Sequence, residues 1–154
     1  MGLVYAIANQ KGGVGKTTTV VNLAAYFGAR GKRVLCIDID PQGNTTTGLG
    51  IKKRSLTVSS YHVLNGSAKI ADINQQTEYE NVSIVPARDE LAGCELELSQ
   101  MEYRATRLRM QLLTCKADYD YIFIDCPPAL GLLTLNGLAA ADEIIVPMTA
   151  EFYA

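Results

Sequence analysis

Tryptophan is absent from this sequence, and histidine occurs only once, at position 62. The missing tryptophan says little about function. A single histidine without a partner that the sequence indicates is more typical of a surface or half-buried side chain than of a metal ligand. We therefore interpret His62 as a structural residue.

The four cysteines, at positions 36, 94, 115 and 126, form no C-x-x-C pair. The first residues also lack the basic flank that precedes the apolar part of a secretory signal. Scattered cysteines in such a context favour reduced thiols over disulfides or a zinc site. We therefore expect a cytoplasmic protein.

Long hydrophobic runs are missing too, since no stretch approaches the roughly 18 uninterrupted apolar residues of a membrane span. An excess of one charge is also missing, because the formal net charge is -2 over 154 residues. This balance provides no general attraction to nucleic acid or to anionic lipid. Binding to either would need a local basic patch or residues outside this sequence.

Short apolar runs alternate with helical patterns along the chain, which is typical of a parallel sheet covered by helices. The pattern predicts strands at residues 3–8, 33–37, 82–85, 121–124 and 143–146. It predicts helices at residues 16–30, 89–98, 103–116 and 132–141, a helical turn at 59–64, and a loop or short helix at 43–50. We predict an α/β fold with a mostly parallel sheet and helices on both faces.

One domain over residues 1–154 accounts for this pattern, because no linker, repeat or low-complexity tract interrupts it. No helical pattern follows the last predicted strand, so one edge of the sheet would be left partly uncovered. We therefore expect the C-terminal part of the domain to lie outside this sequence.

The strongest motif lies between the first predicted strand and the first predicted helix, and consists of Lys11, Gly12, Gly13, Val14, Gly15, Lys16, Thr17 and Thr18. Its glycines allow backbone N–H groups to converge on phosphate oxygens, and the helix adds its positive N-terminal end. Lys16 is expected to reach the β- and γ-phosphates, and the Thr17 hydroxyl to ligate Mg²⁺. The motif predicts a phosphate loop that binds ATP and Mg²⁺.

This loop departs from the ordinary pattern G-x-x-x-x-G-K-[ST] at its first glycine, where Gln10 stands. A second lysine, Lys11, directly precedes the glycines. The alternative interpretation is a solvated lysine on a glycine-rich turn between a strand and a helix.

Two other predicted strands end in aspartate at the edge where open parallel sheets bind ligands. The first is followed by Asp38 and Asp40, and the second by Asp125. We interpret Asp125 as acting on Mg²⁺ and Asp40 as positioning or activating the hydrolytic water. Asp38 is expected to support the loop and the metal shell. The alternative is that each aspartate only caps a helix or starts a turn.

The string from Lys11 to Thr17 resembles the signature of the deviant Walker A ATPases, a superfamily that includes the ParA and MinD proteins. Further segments resemble ParA proteins of the Soj type, with this chain matching their N-terminal portion. These segments are residues 38–44, 48–50, 125–128, 135–142 and 151–154. The resemblance implies a P-loop NTPase fold.

The same resemblance implies a switch that dimerises on binding ATP, hydrolyses it to ADP and phosphate with Mg²⁺, and segregates a chromosome or plasmid. Lys11 would act in trans on phosphates bound by the partner subunit, adding positive charge during phosphoryl transfer. A ParB-like protein would stimulate hydrolysis. The homodimer would bind non-specific DNA at the nucleoid, mostly through residues outside this sequence, and no membrane.

Two alternative functions remain open. One is a MinD-like or cargo-positioning ATPase that acts at a membrane or a protein assembly, against which the residues 40–44 argue. The other is a nucleotide-gated binding module with negligible turnover.

Overall fold

A computed structural model describes residues 2–10 and 15–150 of the chain. Its strands are β1 (Leu3–Ile7), β2 (Val34–Asp38), β3 (Gln75–Gln76), β4 (Val82–Val85), β5 (Tyr121–Asp125) and β6 (Glu143–Ile145). Its α-helices are α1 (Lys16–Ala29), α2 (Asn44–Gly48), α3 (Ser60–Asn65), α4 (Ile70–Ile73), α5 (Cys94–Ser99), α6 (Arg107–Leu112) and α7 (Leu132–Ala140). Short 3₁₀ helices cover Lys53–Ser55, Asp89–Gly93 and Lys116–Asp118.

The six strands form one sheet in the order β3-β4-β2-β5-β1-β6. All pairs are parallel except β3 with β4, which are antiparallel. Within the pairing of β2 with β5, Asp38 lies beside Asp125, and Ile7 of β1 lies beside Asp125 on the other side. The register therefore brings the carboxyl ends of three strands to one place.

Helices cover both faces of the sheet, as the sequence predicts. On one face, Val20 and Ala24 of α1 pack with Cys36, Ile84 and Phe123 of the strands. On the other face, the opposite side chains of the same strands pack against α3, α5, α6 and α7, and this cluster includes Leu35, Ile37, Ile124, Leu98, Leu108 and Leu133. Strands that are buried on both faces explain the near-continuous apolar runs.

Two predicted helices are shorter than expected. Residues 89–98 begin as a 3₁₀ helix and become α-helical only at Cys94. In the predicted helix 103–116, only Arg107–Leu112 is α-helical. Its start is delayed because Tyr103 adopts a left-handed φ of 56° that a helix does not accommodate. The sequence analysis also missed β3 and α4, which are too short for a periodic signal.

No helix within residues 2–10 and 15–150 is long and apolar enough to cross a bilayer.

Asn136, which is fully buried, joins α7 to the segment that leads into α6. Its Oδ1 accepts a hydrogen bond from Leu108 N at 3.2 Å, and its Nδ2 donates to Arg104 O and Leu132 O, both at 2.8 Å. Three hydrogen bonds of one side chain thus hold α7 against α6 and the segment that precedes α6.

We expect Asn136→Ala to lower the free energy of unfolding by about 2 kcal/mol, because it leaves a buried backbone N–H group without its acceptor. Urea denaturation measures this change. Leu135→Ala is the matched control, since this neighbouring side chain is exposed and its loss should change stability by about 0.5 kcal/mol or less. Equal losses in both variants would contradict the role of Asn136.

Candidate functional site

The structure brings the predicted acidic residues and the start of α1 to the same edge of the sheet. Asp38 and Asp125 are the last residues of β2 and β5 and are fully buried, and Asp40 is 5% exposed. Lys16, the first residue of α1, is 9% exposed. Burial has the largest effect on the pKa of Asp125 and raises it, and the charges of Lys16 and Asp40 act on the same carboxyl in opposite directions.

The start of α1 is built to leave its backbone N–H groups available. Gly15 precedes the helix with a φ of +84°, a left-handed conformation that favours glycine. No acidic side chain lies in the first turn, where Thr17 is half-buried and Thr18 is exposed. The first N–H groups of a helix lack partners within it, and its N-terminal end attracts anions. Lys11, Gly12, Gly13 and Val14 lie outside the described residues.

Asp125 has one carboxylate oxygen held by hydroxyl groups and one that is not. Its Oδ2 accepts a hydrogen bond from Thr45 Oγ1 at 2.6 Å and from Thr17 Oγ1 at 3.3 Å. Its Oδ1 is buried without a hydrogen-bond partner in the part of the chain that the structure describes. Burial raises the pKa of Asp125, while the Thr45 hydroxyl and the Lys16 charge act in the opposite direction.

A buried carboxylate oxygen without a partner is uncommon and calls for an explanation. Mg²⁺ prefers carboxylate and hydroxyl oxygens or the water molecules that such oxygens hold. The Asp125 carboxylate and the Thr17 hydroxyl supply these donors side by side. These residues therefore fit a Mg²⁺ ion.

Asp38 has a different environment, because the protein occupies both of its oxygens. Oδ1 accepts from Asp40 N at 3.1 Å, while Oδ2 accepts from Thr46 N at 2.9 Å and Thr46 Oγ1 at 2.7 Å. Burial, followed by the nearby Asp125 charge, raises the pKa of Asp38 to about 7. Its hydrogen bonds fix the shape of the segment between β2 and α2.

Asp40 takes part in a turn, as one of the two interpretations expects, and its action on a water molecule stays a prediction. Its Oδ1 accepts from Gln42 N at 3.0 Å, so the residue starts a turn that continues through Gly43, whose φ is +65°. Lys53 Nζ donates to Gln42 O at 2.9 Å and holds this turn from outside. The same Asp40 carboxylate lies near enough to Asp125 to contribute to its raised pKa.

The sequence analysis missed the two buried threonines that bond the aspartates. Thr45 bonds Asp125, and Thr46 bonds Asp38 and also accepts from Ala87 N at 2.9 Å. The available signal was a run of three threonines directly after the acidic segment. Which hydroxyl points inward depends on the turn at Gly43.

His62 also has a partner that the sequence analysis did not identify. Its Nδ1 accepts a hydrogen bond from Ser59 N at 3.1 Å, and the Ser59 hydroxyl accepts from Tyr61 N at 3.2 Å, so the pair caps the start of α3. The side chain is 25% exposed. The interpretation of a half-buried structural residue is confirmed.

Comparison with known proteins identifies relatives of the whole chain. A model of a family described as an AAA domain matches residues 2–154. The chain is 52% identical over 154 residues to the sporulation initiation inhibitor protein Soj of Bacillus subtilis, and 49% identical over 154 residues to the chromosome partitioning protein ParA of Myxococcus xanthus. It covers 61% and 54% of these two proteins, and thus less than two thirds of their length.

Among solved structures, a cobyrinic acid a,c-diamide synthase from Mycobacterium smegmatis with a bound ATP analogue and magnesium is 43% identical, with a TM-score of 0.96. The match covers 100% of this chain and 63% of that protein. The sheet and helices described above therefore form a P-loop NTPase-type fold. The resemblance to ParA and Soj proteins that the motifs indicate is confirmed by the relatives.

The raised pKa of Asp38 predicts a pH dependence of stability without nucleotide. Its pKa lies near 7 in the folded protein and near 3.8 in the unfolded chain, so between these values the folded state holds a proton that the unfolded state has lost. Stability therefore falls as the pH rises through this window. We expect the free energy of unfolding to decrease from about pH 5 to about pH 8, and Asp38→Asn to remove part of this decrease.

Asp120→Asn is the control, measured by urea denaturation at both pH values. Hydrogen bonds from Arg33 hold the pKa of Asp120 at about 2, so this carboxyl is ionised in both states throughout the window. Its replacement should leave the pH dependence unchanged. A pH dependence that Asp38→Asn and the wild type share would contradict the assignment.

Proposed function

Starting from the fact that the chain belongs to this family of AAA domains, we propose that it is the N-terminal portion of a ParA-type ATPase. It binds ATP with Mg²⁺ and hydrolyses ATP to ADP and phosphate. The observation that carries this proposal is the Asp125 carboxylate, whose Oδ2 accepts a hydrogen bond from Thr17 Oγ1 and whose buried Oδ1 has no hydrogen-bond partner among the described residues. Measurement of phosphate release by the full-length protein, with and without DNA, tests it.

The phosphate groups are assigned to the loop between β1 and α1. Gly15, Lys16, Thr17 and Thr18 supply N–H groups and the Lys16 charge, and the sequence assigns the same task to residues 11–14. Lys16 is nine-tenths buried, so little of its surface contacts solvent and its charge is weakly screened. The lysine therefore contributes more to binding an anion than an exposed lysine would.

Thr17 and Asp125 are assigned to hold Mg²⁺. Asp38 supports this site indirectly, because its hydrogen bonds fix the segment between β2 and α2. When bound, Mg²⁺ neutralises charge on the phosphate oxygens. Asp40 is assigned to position or activate the hydrolytic water, because it follows β2 at the same edge of the sheet as Asp125. Hydrogen bonds from Gln42 N to Asp40 and from Lys53 to Gln42 O stabilise its turn.

The wider function follows the names of the relatives, which concern chromosome partitioning and sporulation. ATP binding would join two copies, with Lys11 of each contributing charge to the other site. The homodimer would bind non-specific DNA at the nucleoid of the cytoplasm, and a ParB-like protein would trigger hydrolysis. Because the net charge of -2 gives these residues no general attraction to DNA, most DNA contacts are assigned to residues outside this sequence.

A diamide synthase is the second candidate that a comparison offers. If such an enzyme drew ammonia from glutamine through a cysteine, it would need an activated thiol. All four cysteines of this chain are buried, and burial raises the pKa of each thiol. The four thiols of this chain therefore do not support this step.

We expect Lys16→Ala to abolish ATP binding, with a loss of about 100-fold or more in affinity, because the phosphates lose charge-assisted hydrogen bonds in a buried site. Titration with a fluorescent ATP analogue measures the affinity. Lys32→Ala removes an exposed lysine beyond the other end of α1 and should change the affinity by about twofold or less. ATP binding by Lys16→Ala at wild-type strength would refute the phosphate site.

We expect Asp40→Ala to bind ATP but to release phosphate about 100-fold more slowly, because the water loses the carboxylate that positions it. The variant should accumulate as an ATP-bound dimer, which size-exclusion chromatography detects. Asp72→Ala, at an exposed aspartate of α4, should behave like the wild type. Normal turnover by Asp40→Ala would remove Asp40 from the mechanism, and normal ATP binding without turnover by the wild type would favour a nucleotide-gated module.

A further inference from the structure

Thr45 makes the shorter of the two hydrogen bonds that Asp125 receives. Hydroxyl-to-carboxylate bonds are strongest at 2.5–2.7 Å between the two oxygens and weaken beyond about 3.0 Å. The bond from Thr45 Oγ1 measures 2.6 Å, whereas the contact from Thr17 Oγ1 measures 3.3 Å. Thr45 is thus the principal holder of this carboxylate, and Thr17 is only weakly engaged.

The surroundings of Thr45 hold its hydroxyl in place. Thr45 is fully buried in α2, and the next residue, Thr46, bonds Asp38 through both its N–H group and its hydroxyl. Leu49, directly after α2, packs in the same apolar cluster as Val20 of α1. The position of Thr45 therefore depends on the segment 38–43, which also carries Asp40.

We propose that Thr45 is a positioning residue that fixes the Asp125 carboxylate through Oδ2 and leaves Oδ1 free for the divalent cation. The inference rests on the function proposed above. Since Thr45 holds Asp125 by itself, Thr17 can turn its oxygen to the cation without releasing the carboxylate. The bond also joins α2, which follows the Asp40 segment, to the cation site.

Thr45→Val tests the proposal in the full-length protein, because it replaces the hydroxyl by a methyl group of similar size. Thr45→Ser keeps the hydroxyl. Thr47→Val is the matched control, since Thr47 belongs to the same helix but is exposed, and among the described residues its hydroxyl donates to the local Gly43 O, at 3.2 Å. Each protein is mixed with ATP and titrated with Mn²⁺, and bound Mn²⁺ is measured by electron paramagnetic resonance.

We expect Thr45→Val to weaken Mn²⁺ binding about tenfold or more, as is usual when a ligand loses the partner that orients it. Affinity for ATP without a divalent cation should stay within about twofold, because the phosphate loop is untouched. Thr45→Ser and Thr47→Val should bind Mn²⁺ within about threefold of the wild type. This pattern separates positioning from a general loss of stability, which would weaken ATP binding as well.

The role of Thr45 would be overturned, and the proposed function would not, if Thr45→Val bound Mn²⁺ as the wild type does. The same would follow if Thr45→Ser bound Mn²⁺ as weakly as Thr45→Val. A wild-type protein that binds no Mn²⁺ in the presence of ATP would overturn the proposed function and this inference together. If Thr45→Val does not fold, Thr45→Ala provides the same comparison without the added methyl group.

Discussion

Two buried carboxylates, Asp38 and Asp125, lie side by side at the carboxyl ends of the neighbouring strands β2 and β5. The other polar groups at this edge of the sheet are arranged around this pair. Like charges in a buried place repel strongly, and burial itself disfavours their ionised forms. The chain offsets this cost with hydroxyl and backbone donors from α2 and with the charge of Lys16. A dication at Asp125 would relieve the repulsion further.

The two aspartates receive their hydrogen bonds in different ways, and this difference separates their tasks. Asp38 has protein donors on both oxygens, so it acts as a structural anchor for the segment that follows β2. Within the part of the chain that the structure describes, Asp125 has donors on Oδ2 only, so it keeps capacity for a ligand. Chemically identical side chains thus differ because Asp40 N donates to the second oxygen of Asp38, whereas no described residue donates to the second oxygen of Asp125.

Glycines in left-handed conformations make this geometry possible at two helix starts. Gly15 and Gly43 precede α1 and α2 with φ values of +84° and +65°. A side chain at either position would be strained. Lys16 directly follows Gly15, and Thr45 lies two residues after Gly43, where its hydroxyl bonds Asp125.

The parallel sheet and the order of its main elements are readable from the amino-acid sequence alone, as are the residues that we assign to a phosphate and metal site. Apolar periodicity and the glycine-lysine loop are local signals, so Lys16, Asp38, Asp40 and Asp125 could be found without coordinates. The coordinates were needed to show that Thr45 bonds Asp125 and that His62 bonds Ser59. They were also needed to show that Tyr103 interrupts a helical pattern. These features depend on the packing of segments distant in the chain, and periodicity within one segment carries no information about its partner.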